Sequence, residues 1–160
     1  MIKIKIGFLK KPDWNGFASL FSKQLLFDFP TFSQEGKRFF LEKKYNNLKS
    51  AESFLKNKQV FLAKSKENLL GFLVSHQVPG GVAICDWLWV DKNHRQQGIG
   101  HLLVRSWEES NLKEKKIHKL SISTTNQDNL SFYQRLGFKL EGLREKDQWG
   151  VDRYLLGKLI

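Results

Sequence analysis

The sequence predicts a single α/β domain, a mixed central sheet of about seven strands flanked by four helices. Two observations carry this. Stretches of period-2 and of helical apolar spacing follow one another along the chain, separated by Gly- and Pro-containing turns. The chain has 160 residues, 41% of them hydrophobic and 13% aromatic, which suits one sizeable core and no second one. No internal repeat, low-complexity tract or proline-rich linker divides it, so residues 1–160 form one domain.

The elements follow in order. IKIKIGFL (Ile2–Leu9) alternates polar and apolar residues and reads as a first strand. Pro12-Asp13 ends it, and Asp13 is placed to cap a helix with Phe17, Leu20, Phe21 and Leu25 facing inward. Pro30 breaks that helix, and Ser33 opens a second one with Phe39, Phe40 and Tyr45 inward. From Lys58 the pattern becomes that of strands. QVFLAKS and LLGFLVSHQV flank the turn KEN, Pro79-Gly80-Gly81 makes a second turn, and VAICDWLWV (Val82–Val90) is a mostly apolar central strand. Ile99, Leu102, Leu103 and Trp107 recur at helical spacing up to about Asn111. KLSIST is the next strand, and NQDNLSFYQRLG is a short helix stopped by Gly137. FKLEGLRE and WGVDRYLLGKL close the chain as two strands.

Twenty-seven Lys and Arg against 16 Asp and Glu leave a formal charge of +11. Such a field favours anions: nucleic acid, acidic membranes or phosphorylated cofactors. The lysines are scattered, so a diffuse compositional bias explains the charge equally well. The lone Cys85 cannot form an internal disulfide, no Cys/His cluster has zinc spacing, and its apolar run makes it a small core residue. No metal is expected. MIKIKIGFL lacks the apolar segment of a signal peptide, and no run reaches the roughly 18 apolar residues that span a bilayer. A cytoplasmic protein without membrane contact is the expectation.

After the central strand, Arg95-Gln96-Gln97-Gly98-Ile99-Gly100 stands at the start of a helix. A helix N-terminus offers N–H groups without intrahelical partners and partial positive charge, and Arg95 and Lys92 add full charges. Phosphate binding or a simple strand-to-helix turn both fit. The pattern is no P-loop, and it lacks the third glycine of a dinucleotide fingerprint, having Leu103 there.

Downstream lies Asn126-x-x-Asn129-x-x-Phe132-Tyr133-x-x-Leu136-Gly137-Phe138. With this second segment the chain resembles the GNAT superfamily of acyl-CoA-dependent N-acetyltransferases. Leu88, Val90, Arg95, Gly98 and Gly100 match the family's L-x-V-x-x-x-x-R-x-x-G-x-G. The second segment matches N-x-x-A-x-x-F-Y-x-x-L-G-F, with Asn129 in place of the usual small residue. The element order agrees over nearly the whole chain.

The resemblance implies the GNAT acyl-CoA N-acyltransferase fold and acetyl-CoA as the acetyl donor. It implies that the backbone of Leu88, Trp89 and Val90 pairs with pantetheine. The N–H groups of Gln96, Gln97, Gly98, Ile99, Gly100 and His101 would hold the pyrophosphate, flanked by Arg95. Asn126 would bond the pantetheine, and Tyr133 would protonate the departing thiolate. Asp86 stands where many members carry a glutamate base, and period 2 would place it on one face with Leu88 and Val90. His76 is a rival base, histidine being the residue type that titrates near neutrality; a water relay is a third route. The implied reaction is direct attack of a primary amine on the thioester.

Acceptor binding would fall to the segment from Trp14 to Asn57 and to the last two strands. Two other function classes compete. One is an acetyltransferase acting on aminoacyl-tRNA or another nucleic-acid-borne amine, which the charge would serve. The other is a catalytically silent acyl-CoA-binding module, against which Tyr133 and the loop together argue. The sequence allows a monomer or a homodimer.

Overall fold

The computed structural model describes residues 3–27, 33–39, 42, 56, 59–66 and 68–160. Its elements are β1 (Lys5–Phe8), α1 (Trp14–Phe27), α2 (Gln34–Arg38), β2 (Gln59–Ser65), β3 (Asn68–Val78), β4 (Val82–Val90), α3 (Ile99–Leu112), β5 (Lys119–Thr124), α4 (Leu130–Arg135), β6 (Lys139–Arg144) and β7 (Arg153–Leu159). The strands form one sheet in the order β1-β2-β3-β4-β5-β7-β6. β4 and β5 run parallel, joined through α3, and the other pairs are antiparallel.

Each face of the sheet carries its own core. Leu103, Trp107 and Ile99 of α3, with Tyr133 and Leu136, cover Leu73, Cys85, Leu120, Ile122 and Leu156 on one face. On the other, Phe17 and Phe21 of α1 pack on Phe72, Trp87 and Trp89. Phe17 meets Phe72 edge-on at 5.3 Å, and Phe21 meets Trp87 edge-on at 5.4 Å. Burying each of these rings contributes about 1.5–3 kcal/mol. Lys158 Nζ joins the lower helices, binding Glu108 of α3 at 2.5 Å and Leu136 O at 2.9 Å.

Several sequence expectations change. β1 begins at Lys5, and Ile2 lies outside the described residues. Asp13 closes a 3-10 turn, and its carboxylate binds Lys64 Nζ at 2.5 Å. Phe39 is 41% exposed rather than inward; Phe40 and Tyr45 lie outside the described residues. Trp149-Gly150, read as the start of the last strand, forms a turn in which both residues have positive φ.

The most consequential change lies in β4. Ser75 faces Cys85 and Val74 faces Trp87, so Asp86 is an extra residue, a β-bulge. Cys85 therefore sits in the α3 core, whereas Trp87 and Trp89 sit in the α1 core. Leu88 and Val90 share one face, as expected, and it is the α3 side. The expected face shared with Asp86 is not kept, because period 2 breaks at the bulge and the Asp86 carboxylate turns to His76. β3 runs regularly there, so His76 lies on the face of Phe72 and Val74.

Candidate active site

Pairing between β4 and β5 runs from Val82↔Lys119 to Cys85↔Ile122 and stops there. β4 continues to Val90 and β5 to Thr124, so the sheet splits beside the bulge. The split is the floor of a cleft of about 870 Å³. One wall is Asp86–Val90, the other Ser123–Asn126, with the start of α3, Phe132 and Tyr133 below and Gln148 and Arg153 on the β7 side.

The loop entering α3 is built from side-chain-to-backbone bonds. Asp91 Oδ1 accepts the Asn93 N–H at 2.8 Å and faces His94 Nδ1 at 3.2 Å. Arg95 Nε donates to Val90 O at 3.0 Å, tying the loop back to the end of β4. No side chain caps α3, and its first bond is Leu102 N–H to Gly98 O at 3.0 Å. The N–H groups of Ile99, Gly100 and His101 precede that bond and lie at the positive end of the helix dipole, against the cleft. Such an end holds an anionic phosphate without side-chain help. Gln96 lines the cleft; Gln97 does not, and its Nε2 reaches Asn93 O at 3.5 Å.

The two glycines serve different needs. Gly98 has φ +79 and open space around a Cβ, so its backbone conformation selects glycine. At Gly100 a Cβ would stand 3.2 Å from Phe132 Cζ, so glycine lets α3 approach α4.

Tyr133 is 7% exposed, and its ring meets Phe132 at 5.1 Å and Phe138 at 6.2 Å, both edge-on. Burial, and then the charge of a Cys85 thiolate, push its phenol well above the ordinary value, so it stays protonated. Burial pushes the Cys85 thiol up as well, and Sγ lies 3.5 Å from Trp87 O; this is an inert core thiol.

The two candidate bases are in contact. His76 Nδ1 lies 2.9 Å from Asp86 Oδ2. A carboxylate only accepts, so the imidazole donates from Nδ1. Asp86 lines the cleft and His76 supports it from β3. Asn126 Oδ1 accepts the Asp128 N–H at 3.0 Å, capping the turn into α4. Asn129, the departure from the family pattern, donates from Nδ2 to Thr124 Oγ1 at 3.2 Å and so ties that turn to β5.

Ser123, Thr125, Arg135, Gln148 and Arg153 also line the cleft and were not singled out from the sequence. Each lacks a local signal, and a single arginine is inconspicuous among 27 basic residues. Among the described residues no group of three or more His, Cys, Asp or Glu could hold a metal ion. No helix among them is long and apolar enough to cross a membrane.

An acetyltransferase (GNAT) domain model matches residues 56–140, more than half of the chain. The fold is similar to that of PaiA N-acetyltransferase from Thermoplasma acidophilum in complex with coenzyme A. That likeness has 18% identity and TM-score 0.79, covering 99% of each chain. A GNAT family acetyltransferase from Elizabethkingia anophelis with acetyl-CoA bound is 19% identical with TM-score 0.65, covering 98% of each chain. The ribosomal-protein-S18-alanine N-acetyltransferase from Escherichia coli is 15% identical with TM-score 0.68, covering 99% of this chain and 94% of that one. No curated protein sequence matches the chain. A matching family model over the split sheet, the uncapped helix and Tyr133, on a fold shared end to end with these enzymes, means that the chain belongs to the GNAT family of acetyltransferases.

Proposed function

We propose that the protein transfers an acetyl group from acetyl-CoA to a primary amine by direct attack. The observation that carries this reading is the split between β4 and β5, running from the uncapped start of α3 to the protonated Tyr133. The residues present fit the donor. The N–H groups of Gln96 and Gly98–His101 suit its pyrophosphate, and the opened edge of β4 at Leu88, Trp89 and Val90 suits an extended pantetheine arm. Asn126 lies on the opposite wall within reach of that arm. Arg95, tied to Val90 O, holds the cradle in shape and adds positive charge. The Gln97 side chain turns to Asn93 O, so any part of Gln97 in the cradle falls to its backbone N–H.

Bound acetyl-CoA supplies an activated thioester. Asp86, oriented by His76, takes the proton of the acceptor ammonium directly or through one water. A backbone N–H near Val90 stabilises the developing oxyanion, and Tyr133 donates its proton to the departing sulfur.

The test combines thermal melting with thiol release over an amine panel. Acetyl-CoA at a hundred times its Kd should add about 2.7 kcal/mol, which raises the midpoint by roughly 5–10 °C. Thiol should be released with at least one amine. A melting point unmoved by acetyl-CoA would sink the cradle, and binding without any release would leave a silent module.

One observation favours a second reading, an acceptor amine carried on nucleic acid. Lys3, Lys5, Lys10, Lys64 and Lys66 line a groove of about 1010 Å³ beside the edge strand β1. Binding of tRNA that weakens steeply with salt would support it, and absence of binding at low salt would remove it.

A further inference from the structure

We infer that the acceptor bears a carboxylate as well as its amine, and that Arg153 reads that carboxylate. This rests on the acetyl-transfer reading above and names its substrate class.

Arg153 opens β7 next to Tyr154, which pairs with Thr124 of β5. Asp86 lies across β5 in β4, and because β4 and β5 part beside it, more than two strand spacings, at least about 10 Å of backbone, separate the two residues. The cleft lies between them and both line it. β7 is regular here, and Leu156 packs in the α3 core. Alternation therefore places Arg153 on the opposite face, the face of His76. The arginine arm shortens that separation, and the cleft between the two residues has room for an acceptor with an amine at one end and a carboxylate at the other.

The guanidinium is held rather than loose. Arg153 is about one quarter exposed, and Nε stands 2.7 Å from Asp147 Oδ2. That N–H is buried and not aligned for a hydrogen bond. Nη2 reaches Gln148 Oε1 at 3.5 Å, a weak contact. Asp147 thus fixes the near end of the fork, and the Nη edge keeps the donors that match a carboxylate.

The turn carrying Asp147 and Gln148 is anchored from outside the cleft. Trp149 takes φ +64, which an aromatic residue adopts only under constraint. Its ring lies over Gly36 of α2, where a Cβ would come within 3.1 Å of it, and 5.9 Å from Phe39. α2 therefore sets the position of the wall that bears Arg153.

Charge decides the sign of the ligand. The cleft is lined by Arg95, Arg135 and Arg153 against one carboxylate, Asp86. Asp86 meets the ammonium, and Arg95 is tied to Val90 O beside the α3 loop. A second cationic group on the acceptor would face Arg153 and an overall charge of +11. A phosphate dianion would meet Asp147, whereas a carboxylate monoanion fits a fork already paired once.

The experiment uses free amino acids in matched pairs with their C-terminal amides at saturating acetyl-CoA. The parent should favour the acids by about tenfold or more in kcat/KM. Arg153→Gln should collapse that ratio towards one, with Arg153→Lys intermediate because it keeps the charge and loses the fork. The acetyl-CoA-induced melting shift should persist in both variants, which shows an intact fold and cradle. Amides turned over as well as acids by the parent would overturn the inference. So would an acid-to-amide ratio unchanged in Arg153→Gln. Either result with the melting shift and thiol release intact leaves acetyl transfer standing. Loss of release with every amine in the parent would overturn acetyl transfer itself.

Discussion

Replacing Tyr133 by Phe removes one hydroxyl from a ring that should stay where it is. The ring is 7% exposed and held edge-on by Phe132 and Phe138. No hydrogen bond to the hydroxyl occurs among the described residues, so its loss leaves no protein group newly unsatisfied. The stability change should stay within about 0.5 kcal/mol, or roughly 2 °C in midpoint. The rate should respond far more. A positioned general acid contributes about 10²–10⁴-fold, and a thiolate, with a parent pKa near 8.5, needs less help than an amine or alkoxide. A loss near 10²-fold in kcat is expected, about 2.7 kcal/mol of barrier, with the acetyl-CoA melting shift retained. The raised phenol pKa fixes two signs. Tyr133 remains protonated through neutral and mildly alkaline pH, so the acid stays competent there. Its stability contribution is complete below the unfolded value near 10 and is lost as pH rises through the higher folded value. Above about pH 10 the parent should therefore lose stability that Tyr133→Phe keeps. Thiol release and melting curves taken in parallel check all of this. A kcat within twofold of the parent would remove Tyr133 from the acid role, and a loss above about 2 kcal/mol would reveal a structural bond at the hydroxyl.

Two further predictions separate geometry from chemistry. Gly98→Ala should cost about 1–2 kcal/mol from its left-handed backbone alone, whereas Gly100→Ala should press on Phe132 and be relieved by Phe132→Leu in a double-mutant cycle. Relief of Gly98→Ala by the same partner would contradict the separate roles of the two glycines. Asp86→Asn should lower kcat by about 10²-fold or more, and adding His76→Leu should lower it little further, because groups acting as one unit are not additive. Losses that multiply would show two independent roles.

Much of the frame was legible. β4 and β5 begin and end where VAICDWLWV and KLSIST do, and α3 exceeds its expected end by one residue. These are long or strongly patterned segments whose neighbours are turn-formers, so local preference and tertiary packing agree. The same loop and Tyr133 segment that marked the family also line the cleft. The turn at Trp149-Gly150 escapes the sequence pattern because an aromatic next to glycine and valine has the composition of a strand. Packing against Gly36, far off in sequence, overrides that preference. Arg153 was invisible for a related reason. Its role depends on the turn before it and on β5 beside it, and neither leaves a mark at spacing that a motif could carry.

The bulge at Asp86 shifts several features of the site together. A strand covered on one face announces a register break, because its apolar side changes parity. β4 is covered on both faces, so Ala83, Cys85, Trp87 and Trp89 are all buried in unbroken alternation although the first two face α3 and the last two face α1. The alternation that places Asp86 with Leu88 and Val90 is therefore blind to the insertion. That single extra residue sends the two tryptophans into the α1 core and brings the carboxylate to His76. It also stands where pairing with β5 ends. The contact between Asp86 and His76 has the same origin: it belongs to the bulged sheet and to no spacing within the chain.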